Sequence, residues 1–341
     1  MRKPFASLLL FLSFWTGCQH NTPYREVQVL MGTLVEVRLP SSNRSRALLS
    51  QESQDAFEAI REVDRRMSVY QMDSDISRIN QNAGGEAVPV SPETYKLLKA
   101  SVHVSEQTDG CFDVTVGPLV KLWGFQREGP AGPRPSDSDI AEAKSHVGSR
   151  NIIFDEATHG VGLKEAGMEV DLGGIAKGFA VDQAIKTLRS HGIENATVAA
   201  SGDIFCLGRP SPARPWRIWI RHPLRTDAVI AALELTDQAI STSGVTEKNF
   251  SEAGKTWSHL IDPRSGYPVQ HSLLSVTVIA PHSWLADAAS TAFLVCGREA
   301  SVAFLERLGD IEAVFVEETP LGLQVGYTEG LKDRLLIQEE E

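Results

Sequence analysis

Glu169-Val170-Asp171-Leu172-Gly173-Gly174-Ile175-Ala176-Lys177-Gly178-Phe179-Ala180-Val181 passes from an apolar alternation through a glycine pair into a helical repeat. Glu169–Leu172 reads as a short strand. Val181, Ala184, Ile185 and Leu188 then recur at three- and four-residue spacing, the mark of one buried helix face, ending near Gly192. A strand that turns through glycines into a helix aims backbone N–H groups and the positive helix end at one point, a layout suited to phosphate. Gly178 is followed by Phe179, so the segment is not a Walker loop, and the spacing is not G-x-G-x-x-G. A tight turn with close helix packing would use the same glycines. Lys177 inside the turn favours the phosphate reading.

Working outward, Val27–Leu39 alternates as strand with an interruption at Met31-Gly32-Thr33, and Ala56, Ile60, Val63 and Met67 mark a helix that follows it. Ser91-Pro92 combines a cap with a first-turn proline and starts a second helix running to about Thr108. Gln126–Asp139, with three Pro and two Gly, reads as a loop, and Ile152–Leu163 as a hairpin. Strands are expected at Ala196–Ala200, Trp216–Ile220, Val229–Leu235 and Leu273–Ala280, and a last helix from Ser283 to Gly297. Hairpins mixed with crossover helices predict an α/β (α+β) domain with mixed sheets.

The 341 residues are 42 % hydrophobic and 23 % charged, ordinary values for a folded chain, and the formal net charge is −11. No Lys/Arg-rich run is present, so a phosphate-neutralising face for nucleic acid is not expected. An anionic substrate would need local cations to offset the acidic surface, and a bound metal supplies them compactly.

Arg2 and Lys3 precede an apolar stretch from Phe5 to Trp15 that closes at Thr16-Gly17-Cys18, the three-part layout of a secretory signal. Gly17-Cys18 resembles a bacterial lipoprotein processing box in which Cys18 is acylated; Trp15 departs from the usual aliphatic residue, and an ordinary cleaved signal is the alternative. The expected organisation is a signal peptide at 1–17, a short linker at 18–26, a single large domain at 27–335 and an acidic tail at 336–341. Cys111, Cys206 and Cys296 have no C-x-x-C spacing and read as buried small hydrophobes, not as a disulfide framework or a zinc site.

Three more segments carry chemistry. Asp287 and Thr291 lie four apart on one helix face and offer hard oxygen ligands suited to Mg²⁺; a solvated Asp and a Thr bonded to its own helix is the alternative. His259-Leu260-Ile261-Asp262-Pro263-Arg264-Ser265-Gly266 sets an imidazole before a turn, where it can accept a proton near neutral pH. Asp109 to Leu119, with Phe112, Asp113 and Thr115, reads either as a clamp for a planar heterocycle or as a core strand with a Gly-Pro turn.

Met31-Gly32-Thr33, Ser68 to Asn80, Phe112 to Leu119, Asp171 to Gly178, Ser201-Gly202-Asp203-Ile204, Thr242-Ser243-Gly244, His259 to Gly266 and Ala286 to Thr291 fall in the order found in the ApbE family, which the chain resembles over nearly its whole length after Cys18. Phe179, Leu260, Ser265 and Ser201 are mild departures from that family's pattern. The resemblance implies a T-fold-like ApbE architecture and a periplasmic FAD:protein FMN transferase. Such an enzyme uses FAD and Mg²⁺, joins FMN through a phosphoester to a Thr or Ser hydroxyl, and releases AMP. It implies metal ligands at Asp287, Thr291 and the Ala176 carbonyl, FAD contacts at Met31, Ser68, Tyr70, Asp113, Val114 and Thr115, and a pyrophosphate clamp at Gly173, Gly174 and Lys177. His259 is the expected base, with Asp262 as its orienting partner and Lys177 as a catalytic cation. Acceptors would be subunits of membrane redox complexes, such as sodium-pumping NADH:quinone reductases. The expected location is the periplasmic side of the cell inner membrane. An FAD pyrophosphatase with the same metal site, and a non-catalytic FAD-binding lipoprotein, are the alternatives.

Overall fold

The structure is a computed structural model that describes residues 23–40, 44–125, 134–245, 249–252 and 255–338. The expected signal peptide with Cys18, most of the Gln126–Asp139 loop and the last three residues lie outside the described residues. In chain order the elements are β1 (Tyr24–Leu30), β2 (Thr33–Leu39), α1 (Arg46–Met67), α2 (Asp75–Gln81), β3 (Val88–Pro89), α3 (Pro92–Gln107), α4 (Gly117–Trp123), α5 (Asp137–Ser145), β4 (Ile152–Asp155) and β5 (Gly160–Leu163). There follow α6 (Ala176–Ser190), β6 (Ala196–Ala200), β7 (Asp203–Leu207), β8 (Trp216–Arg221), β9 (Val229–Leu235), β10 (Gln238–Gly244), β11 (Asn249–Glu252) and β12 (Lys255–Ser258). The chain closes with β13 (Leu273–Ala280), α7 (Ser283–Cys296), α8 (Arg298–Leu308), β14 (Glu312–Thr319), β15 (Gly322–Tyr327) and β16 (Leu335–Ile337).

Eight strands form the main sheet in the order β1-β2-β6-β7-β10-β13-β14-β15, which is also their order along the chain. Every strand pairing is antiparallel, where mixed sheets were expected. The reason is that each insertion between neighbouring strands returns the chain to the end it left. The β1–β2 turn illustrates the local cause: Met31 and Gly32 both have positive φ, +50° and +70°, the backbone of a two-residue turn whose twist matches the flanking strands.

Alternation along the strands splits the core. Phe205 and Leu207 of β7 face one apolar cluster with α1, α6 and α7, while Cys206 faces a second cluster roofed by the three-stranded sheet β16-β9-β8. β13 is buried along its whole length because both faces are covered. Helix starts are set by serines: Ser45, Ser74 and Ser91 each accept a hydrogen bond from the amide three residues on. α7 has no such local cap. Its first amides, Ser283 and Trp284, donate instead to the Asp182 carboxylate of α6 at 2.9 and 3.0 Å.

Several expectations are corrected. Glu169–Leu172 is not a strand. It makes one parallel bridge, Glu169 to Val116, and the Asp171 amide donates to the Val114 carbonyl at 2.7 Å. The Asp109–Leu119 segment is a turn leading into α4. β1 begins at Tyr24, inside the expected linker, and β16 carries the fold to Ile337, inside the expected tail. α7 is not the last helix, since α8 follows Gly297. Cys111 and Cys296 are joined in a disulfide with Cα atoms 5.8 Å apart, whereas both had read as free apolar cysteines. Their 185-residue separation hides the pairing from any local spacing rule. Among the described residues no helix is long and apolar enough to cross a membrane.

Candidate functional site

Antiparallel stacking brings the distant motifs to one end of the sheet. A cavity of about 620 Å³ opens there, lined by Phe112, Asp113 and Val114, by Asp171, Gly173, Gly174 and Lys177, by Ser201 to Asp203, by Thr242 to Gly244, by His259 to Ile261, and by Asp287 and Thr291. Such a volume suits a ligand of dinucleotide size.

The floor is where α6 meets α7. Gly178 lies so close to α7 that a β-carbon there would stand 2.2 Å from the Ser283 carbonyl oxygen, so only glycine fits. Its amide donates to Asp287 Oδ2 at 3.0 Å. Lys177 Nζ lies 2.9 Å from Asp203 Oδ2 and 3.5 Å from Asp287 Oδ2, between two buried carboxylates. Ser241 Oγ donates to the other Asp203 oxygen at 2.6 Å. Burial first, and the neighbouring Asp203 second, push the Asp287 pKa up to about 7 against the opposing pull of Lys177 and the Gly178 amide. One ammonium thus leaves the pair short of positive charge. Thr291, one turn along α7, sits beside Ser243, with the hydroxyl oxygens 3.4 Å apart.

The glycine turn is not the open ring of amides expected from its layout. Gly173 N–H donates to Asp171 Oδ1 at 2.8 Å, the Ile175 and Ala176 amides both donate to the Leu172 carbonyl, and Gly178 N–H is taken by Asp287. The Gly173, Ile175, Ala176 and Gly178 amides thus donate within the protein. Gly173, Gly174 and Lys177 are the turn residues that line the cavity.

Asp113 works in the same way on the opposite wall. Its Oδ1 accepts from the Thr115 amide and hydroxyl at 2.8 and 2.6 Å, and its Oδ2 from the Ser149 amide at 2.9 Å. Thr115 is fully buried and faces the Gly148 amide, so its side chain stands behind the wall and does not line the cavity, unlike Val114. Met31, at the β1–β2 turn, packs against the main core, and Ser68 caps the end of α1; neither lines the cavity. Tyr70 does, 72 % exposed at the rim.

His259 lines the cavity just after β12. Its loop is closed by Asp262–Tyr267 and Gly266–Asp262 backbone bonds and pinned by Trp123, whose indole N–H donates to the Gly266 carbonyl at 3.0 Å. Asp262, expected to orient His259, does not line the cavity. Both of its carboxylate oxygens accept from Arg264, at 2.9 to 3.0 Å. Ala176 opens α6, is buried and does not line the cavity.

Several cavity residues were not anticipated as site members, Asp203, Ser243 and Arg221 among them. Asp203 belongs to the Ser201-Gly202-Asp203-Ile204 motif, which was the signal for it. Arg221 ends β8 on the cavity wall, and nothing in its local sequence marks it. Among the described residues no three His, Cys, Asp or Glu side chains cluster as a metal cage. The side-chain oxygen donors at the floor are the carboxylates of Asp203 and Asp287 and the hydroxyls of Ser243 and Thr291.

The ApbE family model matches residues 31–315. The FAD:protein FMN transferase of Haemophilus influenzae is 36 % identical over 298 residues, 85 % of this chain and 86 % of that protein. Its Escherichia coli K12 counterpart is 33 % identical over 316 residues, 89 % of each chain. Among solved structures, the ApbE protein of Thermotoga maritima aligns with a TM-score of 0.83 at 34 % identity, covering 93 % of this chain and all of that one. The flavin transferase ApbE of Vibrio cholerae aligns at 0.80 and 30 % identity, covering 92 % and 99 %. The expected single α/β architecture is the one these structures share.

Proposed function

We propose that this chain, which belongs to the ApbE family, transfers the FMN half of FAD to a Thr or Ser hydroxyl of an acceptor protein and releases AMP. The observation that carries the reading is the Lys177 ammonium set between the buried Asp203 and Asp287 carboxylates on the floor of a dinucleotide-sized cavity.

The floor suits Mg²⁺ as well. Its donors are hard oxygens, and a carboxylate pushed up to about 7 by burial and a like-charged neighbour is one that a further cation would hold ionised. Asp287, Thr291 and the Ala176 carbonyl would hold the ion. When bound, it supplies positive charge to the diphosphate and to the departing AMP.

The remaining work falls to the chain's own side chains. Phe112, Val114 and Tyr70 offer apolar and aromatic surface to the flavin, and Lys177 holds the diphosphate in place. The acceptor oxygen bonds to the FMN-side phosphorus as the bond from that phosphorus to the AMP phosphate oxygen breaks. An imidazole nitrogen of His259 takes the hydroxyl proton, and AMP leaves with the electron pair. With water in place of the acceptor, the same site gives free FMN and AMP.

Supporting an exported, lipid-anchored enzyme at the periplasmic side of the inner membrane are Arg2, Lys3, the apolar Phe5 to Trp15 stretch and Gly17-Cys18. The acceptors proposed are subunits of membrane redox complexes, such as sodium-pumping NADH:quinone reductases. Radiolabelled palmitate incorporated by wild type and absent from Cys18→Ala would support the anchor.

The deciding experiment mixes purified protein, FAD, Mg²⁺ and a candidate acceptor, then reads flavin fluorescence in the denatured acceptor and AMP in solution. Fluorescence with AMP is the expected result. AMP and free FMN alone indicate a pyrophosphatase, and neither product indicates a binding protein. Asp287→Ala should abolish transfer at limiting Mg²⁺; retained activity would remove Asp287 from the ligand set.

A further inference from the structure

We propose that the Cys111–Cys296 disulfide is a positioning element of the FAD site, setting dinucleotide affinity by clamping the two cavity walls together. The inference rests on the reading of the cavity as an FAD site. Cys111 itself lines the cavity, and the next three residues, Phe112, Asp113 and Val114, continue that wall. Cys296 is the last residue of α7, whose Asp287, Thr291 and Val295 form the facing wall. The bridge therefore sits where the walls meet, joining segments 185 residues apart. Between them, Gly174 leaves room for both: a β-carbon on it would lie 3.3 Å from the Phe112 ring and 3.4 Å from Thr291 Cγ2. A shift of the Cys111 segment relative to α7 would reach Phe112, Gly174 and Thr291 together.

The segment is tied to α3 by the Gly110 amide on the Ser105 carbonyl and the Cys111 amide on the Thr108 carbonyl, both at 2.9 Å, and to α7 by the bridge. Asp109 and Gly110, immediately before Cys111, both have positive φ, +50° and +76°, and form a turn that leads the chain from α3 to the cavity wall. The ion pair from Arg307 to Asp109 spans exposed side chains and holds little. Among the described residues the remaining cysteine, Cys206, offers no competing partner, since it is buried in the core on the other face of the main sheet, where burial raises its thiol pKa. With the bridge open, the Cys111 wall is freer to move, and ordering it falls on the ligand, which weakens binding.

The test compares oxidised wild type, wild type reduced in its folded form, the Cys111→Ser/Cys296→Ser double variant and Cys206→Ser as a control. Dithiothreitol reduces the bridge with two electrons and two protons, giving two thiols and its own cyclic disulfide. FAD affinity is read by flavin-fluorescence quenching, and KM for FAD and kcat by FMN transfer, well below each melting midpoint. The expected result is a rise of about tenfold in Kd and KM for FAD in the reduced and double-variant proteins, with kcat within about twofold. Cys206→Ser should match wild type, dithiothreitol should leave the double variant unchanged, and reoxidation should restore wild-type affinity. Equal FAD affinity in oxidised wild type and the double variant, or two free thiols at Cys111 and Cys296 in protein isolated without reductant, would overturn the inference while leaving the transferase reading intact. A lowered melting midpoint with unchanged KM would also overturn it, because the bridge would then be structural only. Oxidised wild type that binds no FAD would overturn both.

Discussion

The amide of Gly178 donates to Asp287 Oδ2 across the α6–α7 contact, and that contact exists because residue 178 has no side chain. Gly178→Ala would force the helix backbones apart. The expected cost is about 1–3 kcal/mol, the usual range for overpacking, with loss of FMN transfer in the protein that still folds. Urea denaturation followed by the transfer assay checks both parts.

Lys177 stands between two buried carboxylates, so Lys177→Met removes their shared countercharge. Breaking a fully buried pair costs about 3–5 kcal/mol. The cost here should be smaller because the Lys177 side chain is 31 % exposed and partly screened by solvent. The destabilisation should be largest with a chelator present and shrink on adding Mg²⁺. Thermal melts of wild type and variant in the two conditions measure the difference; equal losses in both would show that no cation competes for the carboxylates.

His259→Gln keeps a polar group at the cavity wall and removes the titrating imidazole. Loss of a general base typically lowers turnover about 10²–10⁴-fold. The variant should lose kcat with little change in FAD affinity, and the acid limb of the wild-type pH–rate profile should disappear. An unchanged profile would point to another base.

Asp75 reports on the fold rather than the site. Burial would raise its carboxyl pKa, but the Ser91 amide, the Thr94 and Ser91 hydroxyls and Arg78 more than compensate and hold it below the usual value. Thr94 Oγ1 and Ser91 Oγ donate at 2.7 and 2.8 Å, tying α2 to the start of α3. A carboxyl with a lowered folded-state pKa contributes stability above its unfolded-state value of about 3.9 and loses it as pH falls through the folded-state value. Asp75→Asn should therefore destabilise at neutral pH by about 1–3 kcal/mol and flatten the acid end of the stability curve. Denaturation midpoints between neutral and strongly acidic pH test the sign.

Much was legible in order along the chain. Ser91-Pro92 announced the start of α3 and the Val181 to Leu188 spacing the buried face of α6, while Val27–Leu39, read as a strand interrupted at Met31-Gly32-Thr33, is the β1–β2 hairpin. Those signals are local, because backbone preference and one-sided burial act within a few residues. Lys177, Asp287, Thr291 and His259 were singled out by short motifs and by the order of those motifs along the family's pattern, and all four line the same cavity. β7 and β10 were missed, since strands covered on both faces lose the periodicity that marks a half-buried element, and α8 was missed although only Ser301 and Phe304 of it are buried.

The sequence by itself determined the α/β class, the acidic balance and the family resemblance, because composition, periodicity and motif order are properties of the chain alone. The tertiary structure decided where charges and donors went. It set Lys177 between Asp203 and Asp287, drew the Gly173 amide onto Asp171, gave Asp262 to Arg264 and joined Cys111 to Cys296. Each of these depends on which distant segments the antiparallel sheet brings within a few ångströms, and hydrogen bonds, ion pairs and disulfides form by distance in space, not by separation along the chain.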